Sequence, residues 1–232
     1  MMLDNTGIDV DVHLHQLWTI LTEEEKVMVK TQMEIRSFKK NEKIYREGEV
    51  PTQLMCLLQG QVKIFKEGIG GRNQIMRLMQ PVQYFGYRAY FAEQSYVTEA
   101  AAVDSACVAL IPMVLINQLI GRNRKLAHFF IKELAVDLGA SDERTVNLTQ
   151  KHIRGRLADS LVFLLDKYGT EQDGITLNMC LAREDLANLS NMTTSNAIRT
   201  LSSFSNEGLI TVEGRRIKIL DEEQLRRINK FG

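Results

Sequence analysis

The sequence predicts an α+β chain: an all-β region, then one long helix, then a small helical domain that closes with a β hairpin and a final helix. Three observations carry this. Between Lys39 and Pro112 the short apolar stretches "TQLMCLLQ", "QVKIFKEG", "QIMRLM" and "ACVALI" alternate with turns at Gly48, Gly60, Gly68, Gly70, Gly71 and Gly86. Short strands at such close spacing belong to a barrel, a sandwich or a roll. After Pro112, "NRKLAHFFIKELAVDLGASDERTVNLTQ" keeps a helical apolar step over its whole length. Near the end, "AREDLANLSNMTTSNAIRTLSSFSNEGLI" joins two helical patterns by a short turn and runs into a strand-like stretch.

Bulk properties set the frame. At 232 residues, 44% apolar and 25% charged, the composition is that of a globular chain. Lys and Arg total 29 against 29 for Asp and Glu, so net charge points to neither a nucleic acid nor a membrane surface. No apolar run approaches the ~18 residues of a spanning helix. The opening "MMLDNTGIDVDVHLHQ" lacks the basic start and apolar core of a signal peptide. Cys56, Cys107 and Cys180 are odd in number and far apart, which fits a reducing cytoplasm. They form no metal-spacing cluster. His13 and His15 read as polar residues near a terminus, and His128 and His152 have no partner at ligand spacing. No metal site is expected.

Each element follows from local chemistry. The first twenty residues read as an arm leading into a helix. Thr22 suits the N-cap of that helix, and Glu23 to Glu25 suit its positive end. "KEGIGGRN" reads as a hairpin tip, and "MVLINQLI" as a short helix. In the long helix that follows, Ala127, Ile131, Leu134, Leu138, Ser141, Thr145 and Leu148 step alternately by 4 and 3. That is an a/d seam held for about three heptads, on a helix about 40 Å long. Phe129 and Phe130 beside the seam give a second apolar face. One face is expected on the chain's own β region. The other is most simply met by a copy of itself in a two-fold dimer, through Ala127, Ile131, Leu134, Leu138 and Thr145. "IRGRLADSLVFLLDKYG" is an amphipathic helix ended by Gly169, and "GITLNMCL" reads as extended. "GLITVEGRRIKIL" reads as two strands around Gly214, and "DEEQLRRINKFG" as a charged, solvated helix.

Two short helices, a tight turn and a hairpin make the winged helix-turn-helix pattern. Thr193 is a good N-cap for the second helix and Gly208 a good stop. Ala197, Thr200, Leu201 and Phe204 share one face, expected to pack on Leu186 and Leu189. The opposite face shows Thr194, Ser195, Ile198, Arg199 and Ser202. A helix that enters the major groove needs short polar groups near its N-terminus, where amides meet phosphates and side chains meet base edges. No carboxylate, which would repel the backbone, stands between 193 and 206. Arg199 can donate two hydrogen bonds to guanine, and Ile198 can touch a thymine methyl. Arg215, Arg216 and Lys218 put three cations on the wing, where phosphate contact is expected.

Taken in order, these parts resemble the Crp/Fnr family of bacterial transcription regulators over nearly the whole chain. "YREGEVPTQLMCLLQGQVKIF" is similar to the opening of that family's β-roll, with Gly48 and Gly60 at its turns. "NLTQKHIRGRLADSLVFLL" is similar to the segment joining the dimer helix to the DNA-binding domain. "LAREDLANLSNMTTSNAIRTLSSFSNEGLI" matches the family's helix-turn-helix in length and apolar pattern. The resemblance implies a β-roll (a double-stranded β-helix, cyclic-nucleotide-binding-like) over 1–121. It implies a dimerisation helix over 122–149 and a winged helix-turn-helix domain over 150–232. It places the base-reading positions on Thr194, Ser195, Ile198 and Arg199. Many members carry Glu where this chain has Ser195, and cyclic-AMP-responsive members carry Arg where it has Thr194, so the best-known operators do not carry over.

The effector region departs further from the family. Nucleotide-binding members have Gly-Glu and, about ten residues later, Arg with Ser or Thr, which hold ribose and phosphate. "YFGYRAYFAEQSYVTEAA" keeps Gly86 but puts Tyr87 at the Glu position and Val97 near the Arg position, with Thr98 after it. Losing that cation removes a charge-assisted bond of roughly 1.5–3 kcal/mol. The candidate effector residues are Gly86, Tyr87, Arg88 and Thr98, with Ser141 and Asp142 on the long helix. The crowd of Tyr84, Phe85, Tyr87, Tyr90, Phe91 and Tyr96 makes this either a plugged structural core or a pocket for an apolar or aromatic effector. No Cys precedes Cys56, so the N-terminal iron–sulfur site of oxygen-sensing members is not expected. Met55, Met76 and Met79, which could ligate a haem, read as packing. No cofactor is assigned.

The expected function is therefore a homodimeric, cytoplasmic, sequence-specific transcription regulator and not an enzyme. Its expected partner is double-stranded DNA, with RNA polymerase added if it activates. An unidentified small-molecule effector is expected to control it through the β-roll, and no membrane partner is expected. Two other readings compete. A cyclic-nucleotide-responsive regulator without DNA binding is opposed by the helix-turn-helix. A β-roll or cupin-like enzyme needs metal ligands or a nucleophile with a base, and the stretch 39–112 contains no His.

Overall fold

The computed structural model describes residues 9–68 and 70–232. The segment 1–8, where the predicted arm begins, and Ile69 at the predicted hairpin tip lie outside the described residues. The chain divides into two compact units between Asp137 and Leu138, with Gly68–Gln74 of the hairpin tip grouped with the second.

Among the described residues the all-β region has eight strands: β1 (Glu34–Phe38), β2 (Lys43–Tyr45), β3 (Gln53–Gln59), β4 (Val62–Glu67), β5 (Asn73–Met79), β6 (Tyr84–Phe85), β7 (Glu99–Ala102) and β8 (Ala106–Pro112). They form two four-stranded sheets, ordered β1-β8-β3-β6 and β2-β7-β4-β5. Of the three all-β architectures left open by the sequence, this is the roll. The central pair β3 and β8 explains why those segments read as continuous apolar runs rather than alternating ones. Leu54, Cys56 and Leu58 face one core with Cys107, Ala109 and Ile111. Met55 and Leu57 face the other, between the sheets, with Ala106, Val108 and Leu110. Period-two alternation thus sends neighbouring side chains to two different apolar layers. Each fully buried Leu contributes about 1.5–3 kcal/mol.

Gly60, at the β3–β4 turn, has φ +82, and a Cβ there would stand 2.1 Å from the Ser105 carbonyl oxygen. Only glycine fits both constraints. The core that Leu54, Cys56 and Leu58 face is capped by α1 (Val10–His13), α2 (His15–Trp18), α3 (Glu23–Gln32), α4 (Tyr87–Phe91), α5 (Met113–Ile120) and the first part of α6 (Arg124–Gln150). Leu14 and Leu17 are fully buried there, so the described part of the predicted arm is a docked helical strap. Thr22 caps α3 in a reciprocal box: the Glu25 N–H donates to its hydroxyl and its own N–H donates to the Glu25 carboxylate.

The second unit holds the rest of α6, α7 (Ile153–Tyr168), α8 (Arg183–Leu189), α9 (Thr194–Asn206), the hairpin of β9 (Ile210–Glu213) and β10 (Arg216–Ile219), and α10 (Glu222–Phe231). Two sequence expectations are corrected here. The "GITLNMCL" stretch is mostly loop, touching its neighbours through isolated bridges at Thr170–Leu177 and Thr176–Lys218. Its Leu177, Met179 and Leu181 are buried by packing rather than by a ladder. Helix α10 is not a solvated appendage. Leu225 is fully buried, and the α10 end lies so close to α7 that a Cβ on Gly155 would meet the Gly232 carbonyl oxygen at 2.4 Å.

Candidate nucleic-acid interface

Helix α9 is set by its caps and its apolar stripe. The Asn196 N–H donates to the Thr193 hydroxyl at 3.2 Å, and Ala197, Leu201 and Phe204 are buried. The turn before it, Ser190 to Thr193, needs one left-handed residue. Asn191 supplies it at φ 49, a conformation Asn tolerates better than most side chains. Ser190 is fully buried, and its hydroxyl donates to the Leu186 carbonyl and accepts from the Ser160 hydroxyl, both at 2.8 Å.

Three arginines that sequence reasoning did not select position this motif. Arg144 donates to the Leu189 carbonyl at 2.8 Å, and Arg156 donates through Nε to the Ser190 carbonyl at 3.2 Å. Both cations thus sit on the carbonyl end of α8, where its dipole favours positive charge. Burial depresses the Arg144 guanidinium from its usual value. Arg183 donates to the Gly214 carbonyl at the tip of the hairpin, and burial depresses it too. No local pattern marks these residues, because each bond closes over thirty residues or more.

The exposed face of α9 carries Ser195, Ile198 and Arg199, with Thr193 exposed at the cap and Thr194 half-buried beside it. Ile198 is 48% exposed. Arg199 extends along the helix, and its Nη2 donates to the Asn196 side-chain oxygen at 2.7 Å. On the hairpin, Arg215 and Arg216 are exposed and Lys218 is half-buried. Arg216 and Lys218 already have carboxylate partners, Glu171 at 3.0 Å and Glu213 at 2.8 Å. Glu207, which follows α9, is held by Arg154 and accepts from Ser203. That tie turns the nearest carboxylate into an internal partner and holds it below the usual carboxylate range.

The loop beneath the hairpin is shaped by Asp173. Its carboxylate accepts from the Thr176 hydroxyl, the Thr176 N–H and the Ile175 N–H, which lowers it to about 2. A depressed carboxyl contributes stability above its unfolded value of about 3.9 and loses it as pH falls through about 2. The melting-temperature advantage of the natural protein over Asp173→Asn is therefore expected to be full at pH 6 and to shrink below about pH 4. An advantage independent of pH would show that the carboxylate's charge does not hold the loop.

The first unit distributes the predicted effector residues differently from a shared pocket. Gly86 caps α4 at φ 89, and a Cβ there would stand 2.9 Å from the Gln53 carbonyl oxygen. Tyr87 is 2% exposed and turns to the helix-facing core, with its ring 5.2 Å from that of Phe130. It does not line the inter-sheet core, where Phe85, Ala89 and Tyr96 lie. Arg88 is half-buried, and its charge bears on Tyr45. Thr98 pairs with the Tyr45 hydroxyl at 3.3 Å. Tyr45 and Tyr96 stack with centroids 3.8 Å apart. Burial pushes both tyrosines up, and the buried Tyr96 hydroxyl has no partner among the described residues. Val97 is exposed, and its carbonyl accepts from Lys66 at 3.0 Å. An ion pair of 2.6 Å between Arg77 of β5 and Asp137 of α6 ties the second sheet to the helix. Ser141 and Asp142 are exposed on α6.

Along α6, Leu134 and Phe129 pack against the unit's own core, and Phe130 is buried in it. Ala127 is half-buried, Thr145 is exposed, and Ile131 and Leu138 are each 63% exposed. Among the described residues no group of three or more His, Cys, Asp or Glu could hold a metal ion. No described helix is long and apolar enough to cross a membrane. Cys56 is buried and pushed up to about 12 by that burial.

A roll, a long helix and a winged helix-turn-helix with a carboxylate-free face define a DNA-binding transcription regulator. Residues 35–123 match the cyclic nucleotide-binding domain model, and residues 155–228 match the Crp-like helix-turn-helix domain model. The chain belongs to the Crp/Fnr family of bacterial transcription regulators. It is 23% identical over 197 residues to a CRP-like cAMP-activated global transcriptional regulator of Mycobacterium tuberculosis, covering 84% of this chain and 88% of that protein. It is 25% identical over 207 residues to an anaerobic regulatory protein of Bacillus subtilis, covering 88% and 84%. Among solved structures, FixK2 of Bradyrhizobium japonicum superposes with a TM-score of 0.76 at 22% identity, over 85% of this chain and 97% of that one. A Crp/Fnr-family regulator of Eubacterium rectale gives 0.77 at 18% identity, over 92% and 97%.

Proposed function

We propose that the protein is a cytoplasmic homodimer that reads DNA through α9 and is controlled through its roll by an effector other than cyclic AMP. The observation that carries the reading is the outward face of α9: Ser195, exposed Ile198 and Arg199, with no carboxylate from 193 to 206. In this reading Thr194, Ser195, Ile198 and Arg199 meet base edges, and Thr193, Arg215, Arg216 and Lys218 meet or face phosphates. The domains divide at 121 and 149, with 122–149 as the dimerisation helix. Exposed Ile131 and Leu138 support a second copy on that helix, because the chain's own core leaves them uncovered. Two half-sites then lie one turn of DNA apart, about 34 Å.

The route from roll to DNA runs through α6. Tyr87 packed on Phe130 and the Arg77–Asp137 pair give the helix contacts that an effector in the roll can shift. Only an effector with different affinity for the two dimer states can do so. RNA polymerase is a further partner if the protein activates. Selection of bound sequences from random duplex DNA, with and without cell extract, tests the reading. Recovery of no two-fold motif in either arm overturns it.

Cyclic AMP is expected to bind weakly or not at all. Val97 offers the phosphate no cation, Tyr87 is turned into the helix-facing core, and the Tyr45–Tyr96 stack fills part of the roll interior. Calorimetry should give no dissociation constant tighter than about 100 μM, a binding energy near 5.5 kcal/mol. A low-micromolar value would show that Arg88 or Lys66 supplies the missing charge.

A further inference from the structure

We propose that Glu171 is a built-in competitor of DNA phosphate for Arg216, and so a residue that sets the protein's backbone affinity for DNA. The inference rests on the reading of α9 and the β9–β10 hairpin as the DNA-binding surface. A wing is expected to offer its cations to phosphate, yet here two of the three have partners in their own unit. Arg216 donates through Nη2 to both carboxylate oxygens of Glu171 at 3.0 Å. Lys218 donates to Glu213 at 2.8 Å.

Glu213 is a hairpin neighbour of Lys218, but Glu171 comes from the loop after α7, 45 residues before Arg216. Its place is fixed by backbone bonds. The Glu171 N–H donates to the Thr176 carbonyl at 2.7 Å, and Thr176 is bridged to Lys218 of β10. Asp173 locks the same loop through three hydrogen bonds. The hairpin tip is tied down in turn by Arg183 on the Gly214 carbonyl. The carboxylate is therefore presented to Arg216 by a rigid support. The Arg216 side chain is 57% exposed and that of Glu171 31%, so the guanidinium can rotate outward to an anion while the carboxylate stays behind.

The consequence is electrostatic. A phosphate that engages Arg216 must displace or share Glu171, and the carboxylate left behind repels the DNA backbone. An exposed pair of this kind changes an equilibrium by up to about fivefold. Because phosphate contacts carry no sequence information, the penalty applies alike to target and random DNA. It also lowers the number of counterions released on binding, and with it the salt slope.

Glu171→Gln keeps the shape and removes the charge. Binding to a random-sequence duplex and to the selected site is expected to tighten by about two- to fivefold in both cases. The preference between them should be unchanged, and the salt slope should steepen by up to about 0.9. In an Arg216→Gln background the gain should largely disappear. Glu171→Asp, which draws the charge back by one methylene, should give a smaller gain and serves as the second arm if the Gln variant melts early. Unchanged or weaker binding by both variants overturns the proposal, as does a gain that persists in full without Arg216. Natural protein that binds neither duplex would overturn the DNA-binding reading itself. Natural protein that prefers its site, with both variants unchanged, would overturn only the role of Glu171.

Discussion

Replacing Leu138 with Asp is expected to yield a folded monomer that no longer holds its DNA sites at concentrations where the natural protein does. Leu138 and Ile131 are each 63% exposed on α6, whereas Phe130 is buried in the chain's own core and the half-buried Leu134 packs against it. A charge at 138 therefore costs the isolated subunit little. In a two-fold dimer the same substitution appears twice in one dry interface. Burying each carboxylate without a partner costs several kcal/mol, which corresponds to a loss of well over a hundredfold in dimer affinity. Leu134→Asp, suggested by the 4–3 spacing alone, is a poorer test, because it would also injure the core against which Leu134 rests. Sedimentation at micromolar concentration separates the outcomes. A Leu138→Asp protein that sediments as a dimer, or a natural protein that sediments as a monomer, would show that this face meets something other than a copy of itself.

The difference between Leu134 and Leu138 shows where the sequence is legible and where it is not. Spacing establishes that both lie near one seam, but a seam is read on an ideal wheel and says nothing about how far the core wraps around the helix. The same holds for Tyr87. Its place after Gly86 is plain in the sequence, yet whether its ring turns into the roll or onto Phe130 depends on where α4 sits against α6. Strands β3 and β8, the Thr22 cap and the apolar stripe of α9 were legible because each is a local pattern with a fixed period or a fixed partner distance. Arg144, Arg156, Arg183 and Glu171 were not, because their partners are 31 to 45 residues away and any surface cation or carboxylate looks alike in sequence. Helix α10 is an intermediate case. Leu225 and Ile228 stand three apart among charges, a stripe so sparse that the sequence predicts a solvated helix, yet it is enough to dock the helix on α7.

Arg199→Ala is expected to relax sequence preference at one guanine in each half-site and to cost about 1–3 kcal/mol on the best site. Arg199 lies on the exposed face of α9 and is steered along it by the Asn196 side chain at 2.7 Å. A guanidinium so placed can give two parallel hydrogen bonds to one guanine edge, and only base contacts carry sequence information. Arg216 makes the complementary control. It stands on the hairpin beside Glu171, where the contact open to it is phosphate, so Arg216→Ala should weaken target and random DNA together. Its effect should be smaller than that of a cation with no carboxylate beside it, since the natural side chain must first leave Glu171. Measured on the selected site, on the same site with each guanine replaced, and on random duplex, the two variants should separate. Arg199→Ala should lose discrimination at a single base pair per half-site, whereas Arg216→Ala should keep every preference and bind less tightly throughout. If Arg199→Ala retains full discrimination, then α9 does not read bases through this residue, and the outward face of Ser195, Ile198 and Arg199 meets DNA only as a backbone contact.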